Sequence, residues 1–305
     1  MRIAVIDLGT NTFNLLIVEK TANGGYSKLK LSRIPVKLGE GSINKGFISQ
    51  VPFNRGISAL KQYAEIIREN KVDKVRALAT SAIRSATNGK DFVNAAKNET
   101  GIEIEVIDGN REAELIYYGN RKAVKLNHEY SLIMDIGGGS TEFIIGNNEK
   151  IVWKESFLLG AARLLEHIRP SDPITPQEID KFNAYLKNEL ASLKKAIQEN
   201  NVYELVGSSG AFDSIVDMLA GINDSENINE QKTEYLINLK DYHLLAEKVI
   251  RSSYAERLKI KGLIEMRVDM IVISCLFVNF ILREFNINQM RVSTYSLKEG
   301  VIFST

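Results

Sequence analysis

A run of three glycines with an acidic residue on each side is the strongest candidate for chemistry in this chain. Asp135 precedes glycines 137–139, and Ser140 and Glu142 follow them, between two apolar segments. Because glycine has no Cβ, several backbone N–H groups can turn toward one point and bind phosphate oxygens. Carboxylates beside a bound phosphate usually hold a divalent cation or activate water. The alternative is a glycine hairpin between core strands, but it leaves two acids buried without a function.

A similar pattern lies near the N-terminus. Residues 7–11 read Asp-Leu-Gly-Thr-Asn between two apolar segments, and aligning the two patterns places Asp7 on Asp135 and Gly9 on Gly137. Thr12 then falls on Ser140. Two strand–turn–strand units, one in each half, predict a duplicated domain in which two phosphate loops face a shared cleft.

These two loops resemble those of the exopolyphosphatase/guanosine pentaphosphate phosphatase family. The family belongs to the superfamily of actin, Hsp70 and sugar kinases. Three further segments support the resemblance, residues 79–84, 107–117 and 296–300, so that it extends over essentially the whole chain. The resemblance implies an α/β fold of two ribonuclease H-like (actin-like ATPase) domains around an interdomain cleft. We expect these domains at residues 1–125 and 126–305, with the last helix able to pack back on the first domain.

The resemblance also implies roles for individual residues. Glu112 is expected to be the general base that orients water, with Glu142 as a second catalytic carboxylate. Asp7, Asp135 and Glu142 are expected to hold Mg²⁺, or Mn²⁺ or another divalent cation. The expected phosphate-binding residues are Asp7, Gly9, Thr10, Asn11, Arg84, Gly137, Gly138, Gly139, Ser140, Gly207, Ser208, Ser209 and Arg267.

Three of these role assignments have alternative interpretations. Glu112 near a helix N-terminus could serve only to stabilise the helix, and the helix dipole there is expected to lower its pKa. Arg84 is assigned to a terminal phosphate, but it could equally be a solvated surface charge. The turn that contains Ser208 and Ser209 is by itself a weak anion-site signal. Where the family usually has two adjacent acids, this chain has Arg111 before Glu112, which predicts a more cationic site.

The composition excludes several classes of protein. The chain has 305 residues, 44% apolar and 25% charged, with a net charge of +1, which argues against a general nucleic-acid or membrane-surface binder. Its single cysteine, Cys275, allows no disulfide within the chain, and no histidine lies at a zinc-ligand spacing. The uncharged run Met270–Leu282 is too short to span a bilayer. With no signal peptide recognised at the N-terminus, we expect a cytoplasmic protein.

The remaining patterns predict the elements that position the site. Amphipathic periodicity predicts helices over 54–70 and 110–126, a helix that begins at Gly160, and a helix from Thr175 to about Gln198. The face of the Gly160 helix that carries Arg163, His167 and Arg169 is expected to be solvated. A strand over 202–206 leads into a Gly/Ser turn, residues 222–233 read as a polar surface loop, and 265–284 reads as a buried helix.

Four functions are compatible with these features. The first is a Mg²⁺-dependent hydrolase that releases orthophosphate from the end of inorganic polyphosphate, and the second is a guanosine pentaphosphate 5′-phosphatase. A small-molecule kinase and a non-catalytic nucleotide or polyphosphate sensor are more distant. The sequence leaves open whether the chain forms a homodimer. The extra C-terminal domains of long family members are not found here, so we expect only the catalytic core and distributive release that favours short chains.

Overall fold

The first half of the chain forms a five-stranded sheet. The computed structural model describes residues 1–222 and 232–304. The strands are β1 (Arg2–Leu8), β2 (Thr12–Lys20), β3 (Tyr26–Pro35), β4 (Lys74–Ala79) and β5 (Ile104–Val106). Their order is β3-β2-β1-β4-β5, in which β1 pairs antiparallel with β2 and parallel with β4. The pairing of β1 with β2 places Asp7 opposite Asn14 at the turn.

The second half repeats this arrangement and adds one strand. Its strands are β6 (Tyr130–Ile136), β7 (Thr141–Gly146), β8 (Ile151–Phe157), β9 (Val202–Ser208), β10 (Glu234–Ile237) and β11 (Met290–Ser293), in the order β10-β11-β9-β6-β7-β8. Here β6 pairs antiparallel with β7 and parallel with β9, and Asp135 lies opposite Glu142. The predicted duplication of a strand–turn–strand unit is therefore confirmed.

Helices pack on both sheets. They are α1 (Gln50–Glu69), α2 (Ser81–Ser85), α3 (Gly89–Thr100), α4 (Gly109–Ala123), α5 (Ala161–Ile168), α6 (Pro176–Glu189), α7 (Ala191–Glu199), α8 (Ser209–Ile222), α9 (Leu239–Arg251), α10 (Tyr254–Arg257), α11 (Ile271–Glu284) and α12 (Leu297–Phe303). Short 3-10 turns lie at Ile43–Lys45 and Glu265–Arg267.

Several predicted boundaries differ from the structure. The helix predicted over 54–70 begins at Gln50, and the one predicted from Thr175 to Gln198 is two helices that meet at Leu190. The predicted N-cap is confirmed, since Thr175 accepts a hydrogen bond from the Glu178 N–H in a capping box. The buried helix starts at Ile271 rather than at 265. Residues 223–231 of the predicted polar loop lie outside the described residues.

The last helix packs on the first half of the chain. Helix α12 crosses α4 at two glycines: a Cβ on Gly300 would lie 1.7 Å from the Leu115 carbonyl oxygen, and one on Gly119 would lie 2.3 Å from that of Ser296. Leu297, with Val301 and Ile302, joins a hydrophobic cluster that contains residues of β1, α4 and β6. This cluster connects the two sheets behind the cleft. The boundary at residues 125/126 stays a prediction.

No helix in the ranges 1–222 and 232–304 is both long and apolar enough to cross a bilayer. The most apolar one, α11, is buried against helices of the second half.

Candidate active site

The two phosphate loops face each other across a cleft. The turns β1–β2 and β6–β7 both line it, as do the N-terminal parts of α2, α4 and α8. The two loops share a steric constraint. A Cβ on Gly9 would lie 2.8 Å from the Thr12 carbonyl oxygen, and one on Gly137 would lie 2.9 Å from that of Ser140. Both turns therefore need glycine at the equivalent position.

Three acidic side chains at the loops carry hydrogen bonds from neighbouring polar groups. Asn14 Nδ2 donates to Asp7 at 3.0 Å, Ser208 Oγ donates to Asp135 at 2.7 Å, and Ser156 Oγ donates to Glu142 at 2.6 Å. Asp7, Asp135 and Glu142 are called the metal carboxylates below, after the role that the sequence predicts for them. These bonds fix the carboxylates in place while leaving acceptor positions open.

The pKa values of the metal carboxylates are raised. Burial raises the pKa of Asp7 and of Asp135 to about 6 each, and the Lys298 charge opposes this at both. Burial and then the negative charge of Asp135 raise the pKa of Glu142 to about 7. Desolvation and mutual repulsion therefore dominate over the hydrogen bonds, and a cation placed among these groups would relieve both.

Glu112 is buried at the start of α4 and paired with Arg84. Arg84 Nη1 donates to Glu112 Oε2 at 2.7 Å and to the Ile107 carbonyl oxygen at 3.0 Å. Burial and the charge of Glu142 raise the pKa of Glu112 well above its usual value, and Arg84 opposes them. The sequence-based expectation of a lowered pKa was wrong because burial outweighs the helix dipole. The raised pKa makes Glu112 a stronger base than a solvated carboxylate.

Ser81 and the glycines of the second loop lie close together. A Cβ on Gly138 would lie 3.0 Å from Asn11 Cγ and Thr10 Cβ, and one on Gly139 would lie 2.7 Å from Ser81 Oγ. Ser81 is 1% exposed and lines the cleft, yet the described residues offer its hydroxyl no hydrogen-bond partner. A phosphate or water in the cleft would satisfy this group.

Three cationic residues line the cleft as well. Arg267 lies against Gly210, where a Cβ would come 1.7 Å from its guanidinium, and burial lowers its pKa. Arg33 and Lys298 were not identified from the sequence, although Lys298 falls within the 296–300 segment. Lys298 is 7% exposed, and its charge acts on Asp7 and Asp135. Cations along a cleft suit a polyanionic ligand.

Comparison with known proteins agrees with this geometry. The family model for the Ppx/GppA phosphatase family matches residues 16–305. The chain belongs to the Ppx/GppA phosphatase family. A crystal structure of an exopolyphosphatase from Cytophaga hutchinsonii is similar, with TM-score 0.97, 40% identity and coverage of 100% of this chain and 97% of that one.

Two further relatives support the assignment. The crystal structure of the Aquifex aeolicus member of the Ppx/GppA family has TM-score 0.82, 27% identity and coverage of 100% of this chain and 97% of that one. Exopolyphosphatase 1 of Mycobacterium tuberculosis is 27% identical over 303 residues, 99% of this chain and 87% of the relative. The actin-like ATPase fold expected from the sequence is confirmed.

Most of the predicted site residues of this Ppx/GppA chain are brought together. The cleft is lined by Asp7, Gly9, Thr10, Asn11, Glu112, Asp135, Gly137, Gly138, Gly139, Ser140, Glu142, Ser209 and Arg267. Their individual roles stay predictions.

Three predicted phosphate-binding residues do not line the cleft. Arg84 contacts Glu112 instead, and Ser208 lies behind Asp135 and bonds to it. Gly207 has a packing reason to be glycine, because a Cβ there would lie 2.0 Å from the Phe212 ring. The expected cationic effect of Arg111 is also wrong: its side chain pairs with Glu114 and is not among the cleft-lining residues.

The metal carboxylates suit a cation that is only partly held by protein. Among the described residues no group of three or more His, Cys, Asp or Glu side chains is arranged as a ready-made metal site. Mg²⁺, however, keeps several waters and commonly binds one or two carboxylates together with substrate phosphates. Three desolvated oxygen ligands with raised pKa beside two phosphate loops therefore fit Mg²⁺ or a similar hard cation.

Proposed function

We propose that this protein is an exopolyphosphatase that hydrolyses the terminal phosphoanhydride of inorganic polyphosphate and releases orthophosphate. The observation that carries the proposal is the buried Glu112, paired with Arg84, on a cleft with two glycine-containing loops. Two relatives support the same activity: the Cytophaga hutchinsonii and Mycobacterium tuberculosis proteins are named exopolyphosphatases.

The two loops bind the terminal phosphates of the substrate. Transfer of a phosphoryl group to water needs charge stabilisation and an aligned nucleophile rather than covalent chemistry. Backbone N–H groups of residues 9–11 and 138–140, with the hydroxyl of Ser81, supply neutral donors to the phosphate oxygens. Lys298 and Arg267 add positive charge along the cleft, which balances the negative charge of the chain of phosphates.

Glu112 holds the attacking water. Its raised pKa brings it closer to neutral pH, where a base accepts a proton most effectively. Arg84 donates to Oε2, so that Oε1 is left to accept a hydrogen bond from water, which it polarises and deprotonates during attack. In this proposal Arg84 acts through Glu112 rather than on a phosphate.

Three carboxylates of the cleft would hold a divalent cation. Asp7, Asp135 and Glu142 would hold Mg²⁺ directly or through water, and it would supply charge neutralisation at the phosphate oxygens. The three protein groups must be ionised for this, so that their raised pKa values make cation binding depend on pH near neutrality.

A panel of substrates tests the proposal. The purified protein with Mg²⁺ is incubated with polyphosphate, with guanosine pentaphosphate, and with ATP plus small sugars, and released orthophosphate is measured. We expect orthophosphate from polyphosphate and no phosphorylated sugar. Hydrolysis of guanosine pentaphosphate in preference to polyphosphate would assign the 5′-phosphatase activity instead, and binding without hydrolysis of either would indicate a sensor.

A further inference from the structure

The backbone carbonyls of the three glycines in the second phosphate loop accept hydrogen bonds from helix α5. The Ala161 N–H donates to the Gly137 carbonyl oxygen at 2.9 Å, and the Ala162 and Arg163 N–H groups donate to that of Gly138 at 3.0 and 3.1 Å. Arg163 Nε donates to the carbonyl oxygen of the next residue, Gly139, at 2.9 Å. The N-terminus of α5 therefore binds the loop itself, and three successive carbonyls point toward the helix.

This arrangement orients the loop's amides. In a trans peptide the C=O and N–H groups point in opposite directions. The N–H groups that follow the three held carbonyls, at residues 138–140, therefore point away from α5, and within the described residues none of them donates a hydrogen bond. On that side lie Thr10, Asn11 and the cleft. The loop thus presents three free donors to a ligand.

The Arg163 side chain connects this loop to the first half of the chain. Its Nη1 donates to the Ile43 carbonyl oxygen at 3.0 Å and to Asn44 Oδ1 at 3.3 Å, and its Nη2 donates to Ser85 Oγ at 3.4 Å. In return, Asn44 Nδ2 donates to the Arg163 carbonyl oxygen at 3.1 Å. The predicted solvated face was wrong at this residue, because its guanidinium is half-buried between the two halves.

We propose that Arg163 is a positioning residue for phosphate binding, an inference that rests on the proposed function. It fixes the Gly139 peptide so that the Ser140 N–H faces the cleft, and it ties this loop to the Ile43–Lys45 turn and to the end of α2. Because α2 begins at Ser81, one guanidinium sets the relative position of the second loop and of a cleft-lining element of the first half. A planar fork with several donors can serve all four acceptors, which a lysine ammonium cannot.

Kinetics of three variants test this inference. Arg163→Met and Arg163→Lys are compared with Arg169→Met, which changes an exposed arginine just after the same helix. Its side chain donates to the Glu166 carbonyl oxygen of its own helix. With tripolyphosphate as substrate, we expect both Arg163 variants to raise KM roughly 10- to 100-fold, the range for loss of one or two hydrogen bonds to a charged group. The value of kcat should change much less, since ground state and transition state lose the same donors.

The outcomes separate geometry from charge and from general destabilisation. Restoration of normal KM by Arg163→Lys would mean that the charge alone attracts substrate and would overturn the proposal. Equal effects of Arg169→Met, or a lower kcat with unchanged KM, would overturn it too. Should Arg163→Met fail to fold, Arg163→Lys carries the same comparison.

Hydrogen exchange provides a readout that needs no substrate. The N–H groups of residues 161–163 are protected by the loop carbonyls, so both Arg163 variants should exchange faster in this segment, while Arg169→Met should match the unmodified protein. Unchanged exchange in both Arg163 variants would contradict the positioning role. Failure of the unmodified protein to hydrolyse polyphosphate would instead reject the proposed function. The hydrogen-exchange result would then decide by itself whether Arg163 positions the loop.

Discussion

The pairing of Arg84 with Glu112 predicts that Arg84→Met changes the pH dependence of the reaction rather than substrate binding. The guanidinium opposes the rise in the pKa of Glu112 that burial causes, so its removal raises that pKa further and leaves less of the base ionised at neutral pH. A hydrogen bond to a charged group contributes about 1.5–3 kcal/mol. This corresponds to a loss of roughly 10- to 100-fold in kcat/KM near pH 7.

The assay is a pH profile of orthophosphate release. The ascending limb of kcat/KM should move to higher pH in Arg84→Met, and the lost rate should return as the pH is raised. Arg84→Lys keeps a positive charge and should behave more like the unmodified protein. A suitable control is Arg76→Met, which removes an ion pair with Glu105 at the protein surface. A raised KM with an unshifted profile would refute this reasoning and would restore the sequence-based assignment of Arg84 to a substrate phosphate.

Three further predictions concern the loops and the cation. Gly138→Val places methyl groups against Asn11 and Thr10, which would lie only 3.0 Å from an added Cβ. Phosphate affinity measured by calorimetry should therefore fall at least tenfold, and the affinity of Gly138→Ala should lie between that of Gly138→Val and that of the unmodified protein. Unchanged affinity would remove this loop from the site. Ser81→Ala removes a buried, cleft-lining hydroxyl that has no hydrogen-bond partner among the described residues, so KM should rise about 5- to 10-fold without loss of melting temperature. An unchanged KM would contradict its role. The metal carboxylates have folded-state pKa values of about 6, 6 and 7, above those of an unfolded chain, so their contribution to stability is present at acidic pH and is lost as the pH rises through 6 to 7. Since Mg²⁺ binds the ionised forms, it should raise the melting temperature more at a pH of about 7.5 than at about 5.5, and an equal rise at both would contradict this set of ligands.

Features that depend on local pattern were predictable from the sequence. Glycine at positions 9 and 137 is required by the turn itself, and each lies between a strand pair whose apolar character is visible in the sequence. Glu112 could be placed near the start of a helix because the apolar periodicity predicts a helix over 110–126. The structure shows in addition that Asp108 caps this helix by accepting a hydrogen bond from the Arg111 N–H. The duplication then indicated that both loops face one cleft.

Features that depend on contacts between distant segments were not predictable. The partner of Arg84 is 28 residues away on another helix, and only the tertiary fold brings the two side chains to 2.7 Å. The helical periodicity places Arg163 on the face expected to be solvated. Its guanidinium nevertheless donates hydrogen bonds to residues 43, 44 and 85 of the other half. The effect of burial on the pKa of Glu112 likewise depends on what packs around it.

Glu112→Gln tests the central claim of this account most directly. The amide keeps the size of the side chain and can still accept the hydrogen bond from Arg84, but it cannot take a proton from water. We expect the turnover of polyphosphate to fall by roughly two to four orders of magnitude, the usual contribution of general acid–base catalysis. Binding of tripolyphosphate, measured by calorimetry, should stay the same or tighten because one negative charge beside a polyanion is lost. Turnover close to that of the unmodified protein would exclude Glu112 as the base and would make Glu142 the remaining candidate.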